Sequence, residues 1–68
     1  LMIIFINGDK TKLNKTTSLE KFLKKNFSNL SSSYAVALNN EFVPRSSYQD
    51  IIINDGDKIE VVSAQPGG

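Results

Sequence analysis

Few residues in this 68-residue chain have side chains suited to covalent chemistry, and the residue types it lacks narrow its function as much as those it has. It contains no Cys and no His. A thiol nucleophile, an imidazole base, a disulfide framework and a zinc site of the usual ligand types are therefore excluded. Serines and lysines are plentiful, but no Ser lies in a nucleophile-elbow sequence and each Lys falls at an expected exposed position. A Ser-Lys device is accordingly discounted. Asp55-Gly56-Asp57 could open a calcium loop, yet the EF-hand pattern needs a Glu at its twelfth position, and this segment runs straight into an apolar stretch. It reads as a turn. No catalytic residue, metal ligand or bound cofactor is expected.

What remains is the terminus Gln65-Pro66-Gly67-Gly68. The carboxylate of Gly68 is ionised at neutral pH and can act as an oxygen nucleophile toward an activated phosphate. Gly67 and Gly68 lack Cβ, so a tail ending in them can enter a tunnel that a larger side chain would block. A tail of this kind is a substrate for other proteins. Two glycines also suit a slack polar terminus, so the signal gains weight only from its setting.

The elements that must present this tail follow from patterning. Met2-Ile3-Ile4-Phe5-Ile6 is short, β-branched and aromatic, and Asn7-Gly8 suits the positive φ angles of a type I′ turn. The return, Lys10-Thr11-Lys12-Leu13, reads as an edge strand whose lysines discourage pairing with another chain. Thr17-Ser18-Leu19-Glu20 fits a capping box, with Thr17 as N-cap and Glu20 reaching back to its amide. The helix that follows places Leu19, Phe22, Leu23 and Phe27 on one face and Lys21, Lys24 and Lys25 on the other. Residues 28–33 read as a loop. Tyr34–Leu38 is a third strand, Asn39-Asn40 a tight turn, and Glu41–Val43 a short fourth strand closed by Pro44. Ser46 or Ser47 is expected to cap a helical turn through Asp50, and Ile51–Ile53 to lead into the turn 54–57. Lys58–Ala64 is the last strand.

The order β-β-α-β-β-β with one crossover helix predicts an α+β, β-grasp (ubiquitin-like) fold, a mixed sheet of four to five strands with the helix on one face. Residues 1–64 are expected to form the domain and 65–68 a flexible tail. The expected core is Met2, Ile4, Ile6, Leu19, Phe22, Leu23, Val36, Leu38, Ile59 and Val61. In the opposite phase, Ile3, Phe5, Val62 and Ala64 leave apolar groups on the far face with no second layer, and a partner is the simplest cover.

Charge and length exclude further classes. The net charge of +1 argues against a polyanion binder, and no apolar run approaches the roughly 20 residues that span a bilayer. Neither nucleic acid nor membrane is an expected partner. Residues 1–34 carry six lysines against two acids, whereas residues 35–68 carry two basic and five acidic groups. Glu41, Asp55, Asp57 and Glu60 could steer a partner, with plain solubilisation as the competing reading. Met2 reads as the initiator, no signal peptide is evident, and a reduced, cytoplasmic setting is expected.

Asn39-Asn40-Glu41-Phe42-Val43-Pro44-Arg45, then Tyr48, then the run from Asp55 to Val62, then the terminal Gly67-Gly68, together resemble the ThiS family of sulfur carriers in thiamine biosynthesis. That resemblance implies a ThiF-like adenylyltransferase that uses ATP and magnesium to convert the Gly68 carboxylate to an acyl adenylate. Sulfur from a cysteine-derived donor then replaces AMP, and a ThiG-like thiazole synthase consumes the resulting thiocarboxylate. On this implication Gly68 reacts, Gly67 gives access, and the chain is a co-substrate rather than an enzyme. Pro66 stands where a small or aliphatic residue is expected and stiffens the tail. The small subunit of molybdopterin synthase is a second carrier reading, from which the shorter chain and Val43-Pro44-Arg45 turn the balance. A ubiquitin-like modifier or a non-covalent interaction module is the alternative from another class.

Overall fold

A computed structural model describes residues 1–27 and 34–63 of the chain. Strands β1 (Met2–Ile6), β2 (Asp9–Leu13), β3 (Tyr34–Leu38), β4 (Glu41–Val43) and β5 (Lys58–Ser63) form one sheet in the order β2-β1-β5-β3-β4. Helix α1 (Leu19–Asn26) and a 3₁₀ helix (Arg45–Asp50) complete the elements. This is the β-grasp arrangement, with five strands.

Both hairpins turn on residues that accept left-handed backbone. Asn7 and Gly8 have φ of 50° and 87°, and Asn39 and Asn40 have φ of 52° and 71°, the two positive values in succession that a type I′ turn requires. Asn7 also continues the ladder that β1 leaves: its amide donates to the Ile59 carbonyl at 2.9 Å, and its Oδ1 accepts from the Val61 amide at 2.9 Å. The sheet is mixed because β1 runs parallel to β5, with Phe5 opposite Lys58, whereas the β1–β2, β3–β5 and β3–β4 pairs are antiparallel.

The helix begins one residue later than the capping-box reading. Ser18 is the N-cap, its Oγ accepting from the Lys21 amide at 3.2 Å. Thr17 instead lends its carbonyl to the Ile53 amide at 2.9 Å, while Leu19 donates its amide to the Ile51 carbonyl at 2.8 Å. Residues 17–19 are thus occupied by pairing with 51–53, which fixes where the helix can start, and Glu20 turns outward to Lys24 at 3.9 Å. The second helical segment starts at Arg45, ahead of both serines expected to cap it, with Pro44 as N-cap and no side-chain cap bond. The Pro44 carbonyl accepts from Ser47 at 2.9 Å instead. Pro44 presets the entering φ, here −66°, and makes a hydroxyl cap unnecessary.

The buried core is Ile4, Leu19, Phe22, Leu23, Val36, Val43, Tyr48, Ile53, Ile59 and Val61. Val43, Tyr48 and Ile53 are additions to the expected set, and Met2, Ile6 and Leu38 prove only half-buried. An eight-residue helix of about 12 Å is too short to cover the sheet. The 3₁₀ helix and the 51–53 segment fill the remainder, bringing Tyr48 and Ile53 inward, while strand ends such as Ile6 and Leu38 lie at its margin. No helix among the described residues is long and apolar enough to cross a membrane.

Candidate docking face and tail-bearing strand

The strand that leads to the tail is the centre of the sheet. β5 is hydrogen-bonded by β1 on one side and β3 on the other, so it is held from both edges. Gly67, Gly68 and Ala64 lie outside the described residues, as does the expected 65–68 tail. Ser63, opposite Tyr34, is the last described residue of β5.

The face of the sheet away from α1 follows from alternation and register. Ile3 and Phe5 on β1 share it with Lys12 and Lys10, their partners on β2, and with Lys58, the partner of Phe5 on β5. Further along β5 come Glu60, opposite Ala37, and Val62, opposite Ala35. Ala37 in turn faces Phe42 on β4. The three described residues expected there, Ile3, Phe5 and Val62, are thus separated into two zones. Ile3 and Phe5 are neighbours and half-buried, whereas Val62 is 66% exposed and sits about 13 Å further along β5 than the partner of Phe5. The upper zone contains a residue that sequence reasoning did not single out: Phe42, 71% exposed. Ala35 and Ala37 lie between Val62 and Phe42, so two large apolar side chains flank a shallow strip of small ones. Phe42 was detectable in principle, since a strand that buries Val43 must turn Phe42 to the other side.

Between the zones, Phe5, Gly8, Asn40, Lys58, Ile59 and Glu60 line a depression of about 310 Å³. Lys58 and Glu60 mark its charged border. The face therefore presents apolar side chains at two places with the charged Lys58 and Glu60 between them.

The acidic turn is committed to the fold. Asp55 Oδ1 accepts from the Ile3 amide at 2.7 Å, and Asp57 Oδ2 accepts from the Asn54 amide at 2.7 Å. Asp57 Oδ1 accepts from Asn39 Nδ2 at 3.1 Å, and Asn39 Oδ1 accepts from the Lys58 amide at 3.0 Å. The carboxylates therefore tie the 54–57 turn to β1 and to the β3–β4 turn, and Gly56 holds the φ of 87° that the bend requires. Of the four acids considered for steering, Glu41 and Glu60 are exposed. No group of three metal-ligating side chains occurs among the described residues. Arg45 stacks over the Tyr34 ring at 5.9 Å, bracing the start of the 3₁₀ helix against β3. Burial pushes the Tyr48 hydroxyl pKa up, Tyr34 adds to that, and Arg45 opposes it.

The family model for ThiS matches residues 3–68, nearly the whole chain and through to the terminal diglycine. The chain belongs to the ThiS family. A protein named thiazole synthase from Paramagnetospirillum magneticum is 37% identical over 67 residues, which are 98% of this chain but 20% of that relative. The ThiS-family chain thus spans about a fifth of that longer protein. Among solved structures, the crystal structure of the thiamine biosynthesis protein ThiS from Geobacter metallireducens superposes with a TM-score of 0.85 at 22% identity, covering 98% of this chain and all of that one. A solution structure of a thiamine biosynthesis protein from the same organism gives 0.77 at 21% identity, with 98% and 88% covered. At such identity these two matches establish the fold.

Proposed function

We propose that the chain is a sulfur carrier in thiamine biosynthesis, that the Gly68 carboxylate is the group that carries the sulfur, and that the chain acts as a protein co-substrate rather than as an enzyme. The observation that carries this reading is the family match reaching residue 68, on a chain with neither Cys nor His. With no thiol, sulfur cannot be held as a side-chain persulfide, and the backbone carboxyl is the available carbon.

The chemistry balances in two steps. The carboxylate oxygen of Gly68 attacks the α-phosphorus of ATP on a ThiF-like adenylyltransferase, forming the acyl adenylate and releasing diphosphate. Magnesium and ATP are bound by that partner. A persulfide on a cysteine-derived donor then attacks the acyl carbon and AMP leaves, giving an acyl disulfide; a second thiol of the donor system attacks the donor's sulfur, forming a disulfide with it and releasing the thiocarboxylate. A ThiG-like thiazole synthase takes that sulfur and returns the carboxylate. Support for the last partner comes from the 37% identical stretch inside a protein bearing that name.

In this reading residues 1–64 are the handle and 65–68 the reaching tail, with Gly67 admitting the chain to a narrow partner channel. Ile3, Phe5, Val62 and Ala64, joined by Phe42, form the docking surface. The setting is the cytoplasm, where ATP is available. Incubation with the activating enzyme, ATP and a sulfur source should raise the mass by one O-to-S exchange, about 16 Da. An unchanged mass with an activating enzyme proven on another carrier would refute the assignment, and a chain lacking Gly68 should not be loaded.

A further inference from the structure

Edge strand β2 and helix α1 border a groove of about 600 Å³. Leu13 and Phe22 supply apolar lining, Lys12, Lys15, Lys21 and Lys25 line it as well, and no acidic residue does. Lys21 and Lys25 are exposed and one turn apart, where like charges repel. Lys24 is matched by Glu20 at 3.9 Å, while Lys15, Lys21 and Lys25 have no carboxylate partner among the described residues. Positive charge has been left uncompensated around a concavity, and an anionic occupant relieves it.

The backbone narrows the kind of occupant. Among the described residues β2 is the outer strand of the sheet and pairs with β1 alone, so alternate N–H and C=O groups along Asp9–Leu13 face outward beside the groove. A compact anion would use the lysines and leave that ladder idle; an extended chain uses both. Side chains of an added strand alternate, so those on one side enter the groove beside Lys21 and Lys25, and those on the other lie on the side of Lys10, with Lys12 at the groove's rim. The same lysines repel a second copy of β2 and any basic segment, which makes the open edge selective.

We propose that this groove receives an extended acidic segment of a partner protein, added as a strand along β2 with its carboxylates toward the lysines. The proposal is independent of the carrier chemistry, since a chain with an empty groove can still carry sulfur on Gly68. Sulfur loading is therefore not the readout.

The test is an amide NMR titration of the full chain with a short synthetic peptide alternating glutamate and valine. Expected are shifts at Thr11, Leu13, Lys21 and Lys25, together with slowed hydrogen exchange at β2 amides that face away from β1. The K21E/K25E pair should weaken binding by about tenfold or more, as loss of two surface ion pairs implies. Both positions are exposed, so an unchanged thermal midpoint should accompany that loss; K21A/K25A should weaken binding in the same direction. Shifts confined to the face bearing Val62 and Phe42 would overturn the proposal. So would equal binding by a peptide with lysine in place of glutamate, absence of any shift at millimolar peptide, or the same shifts produced by inorganic diphosphate with no protection of β2.

Discussion

Phe42 and Val43 are adjacent on β4 and face opposite ways, so truncating each to alanine should separate docking from stability. Val43 is 5% exposed. Val43→Ala removes two buried methyl groups at about 0.8 kcal/mol each and leaves a small void, so a loss of roughly 2 kcal/mol is expected. For a domain of this length that lowers the thermal midpoint by about 8–16 °C. Phe42 is 71% exposed. Less than a third of its side chain is shielded, so Phe42→Ala should cost at most about 1 kcal/mol of stability, including the lost strand preference. If Phe42 anchors the ThiF-like partner, burying the exposed part contributes on the scale of an interface hot spot. Its truncation should then weaken binding by about 2 kcal/mol, a factor of roughly 30. Calorimetric titration against the adenylyltransferase and thermal unfolding followed by circular dichroism read the two quantities. The pattern should cross over: Val43→Ala loses stability and, below its midpoint, keeps affinity, while Phe42→Ala does the reverse. Undiminished affinity in Phe42→Ala would remove Phe42 from the docking surface, and a midpoint loss matching that of Val43→Ala would contradict the register that puts it outside.

Three further outcomes test the frame that holds this face. Ser18→Ala should destabilise the chain by about 1 kcal/mol in urea unfolding, and Thr17→Ala should cost less, because the Oγ that accepts from the helix belongs to Ser18. Asp57→Ala leaves the Asn54 amide and Asn39 Nδ2 without their acceptor and should cost about 1–2 kcal/mol; a double-mutant cycle with Asn39→Ala should be non-additive, and strict additivity would mean the two side chains are not coupled. The Tyr48 pKa is raised from its ordinary 10.0 by burial. The folded state holds that proton more tightly than the unfolded one, so its stabilising contribution is complete below about pH 10 and is lost as pH rises through the raised value. Tyr48→Phe should flatten that alkaline decline, and identical pH profiles would show that Tyr48 does not cause it.

Local signals strong enough to dominate their surroundings carried most of the architecture. Asn7-Gly8 and Asn39-Asn40 demand positive φ, and the turns form at those residues. Alternation along β1 and β5 placed Ile4, Ile59 and Val61 inside and Val62 outside. Where two signals competed, tertiary pairing decided. Thr17 and Ser18 are both good caps, and the selection of Ser18 depends on Ile51 and Ile53, more than thirty residues away, taking the backbone groups of Leu19 and Thr17. Ile51-Ile52-Ile53 has the composition of a strand, yet it makes a single bridge, Ser18 to Ile52, and contributes Ile53 to the core. The exposed apolar face of the sheet was legible in phase but not in extent. Its residues come from four strands whose lateral order is set by the parallel β1–β5 pair, and no local pattern reveals that Val62 lies nearer Phe42 than Phe5. The Asp55-Gly56-Asp57 motif was conspicuous in the sequence, and the structure gives its carboxylates to backbone and Asn39 rather than to a ligand.

The central position of β5 has a mechanical consequence. A partner that draws the tail into a channel pulls along the axis of β5, and the ladders on its two sides carry that load together in shear. For a strand at the sheet edge, tension could open bonds one after another; here the β1 and β3 ladders must slip as a unit. The domain can therefore be held, tugged and released by successive partners without unravelling from the end they grip. A force-spectroscopy experiment pulling from the C-terminus should show a higher rupture force than one pulling β2 away from its edge.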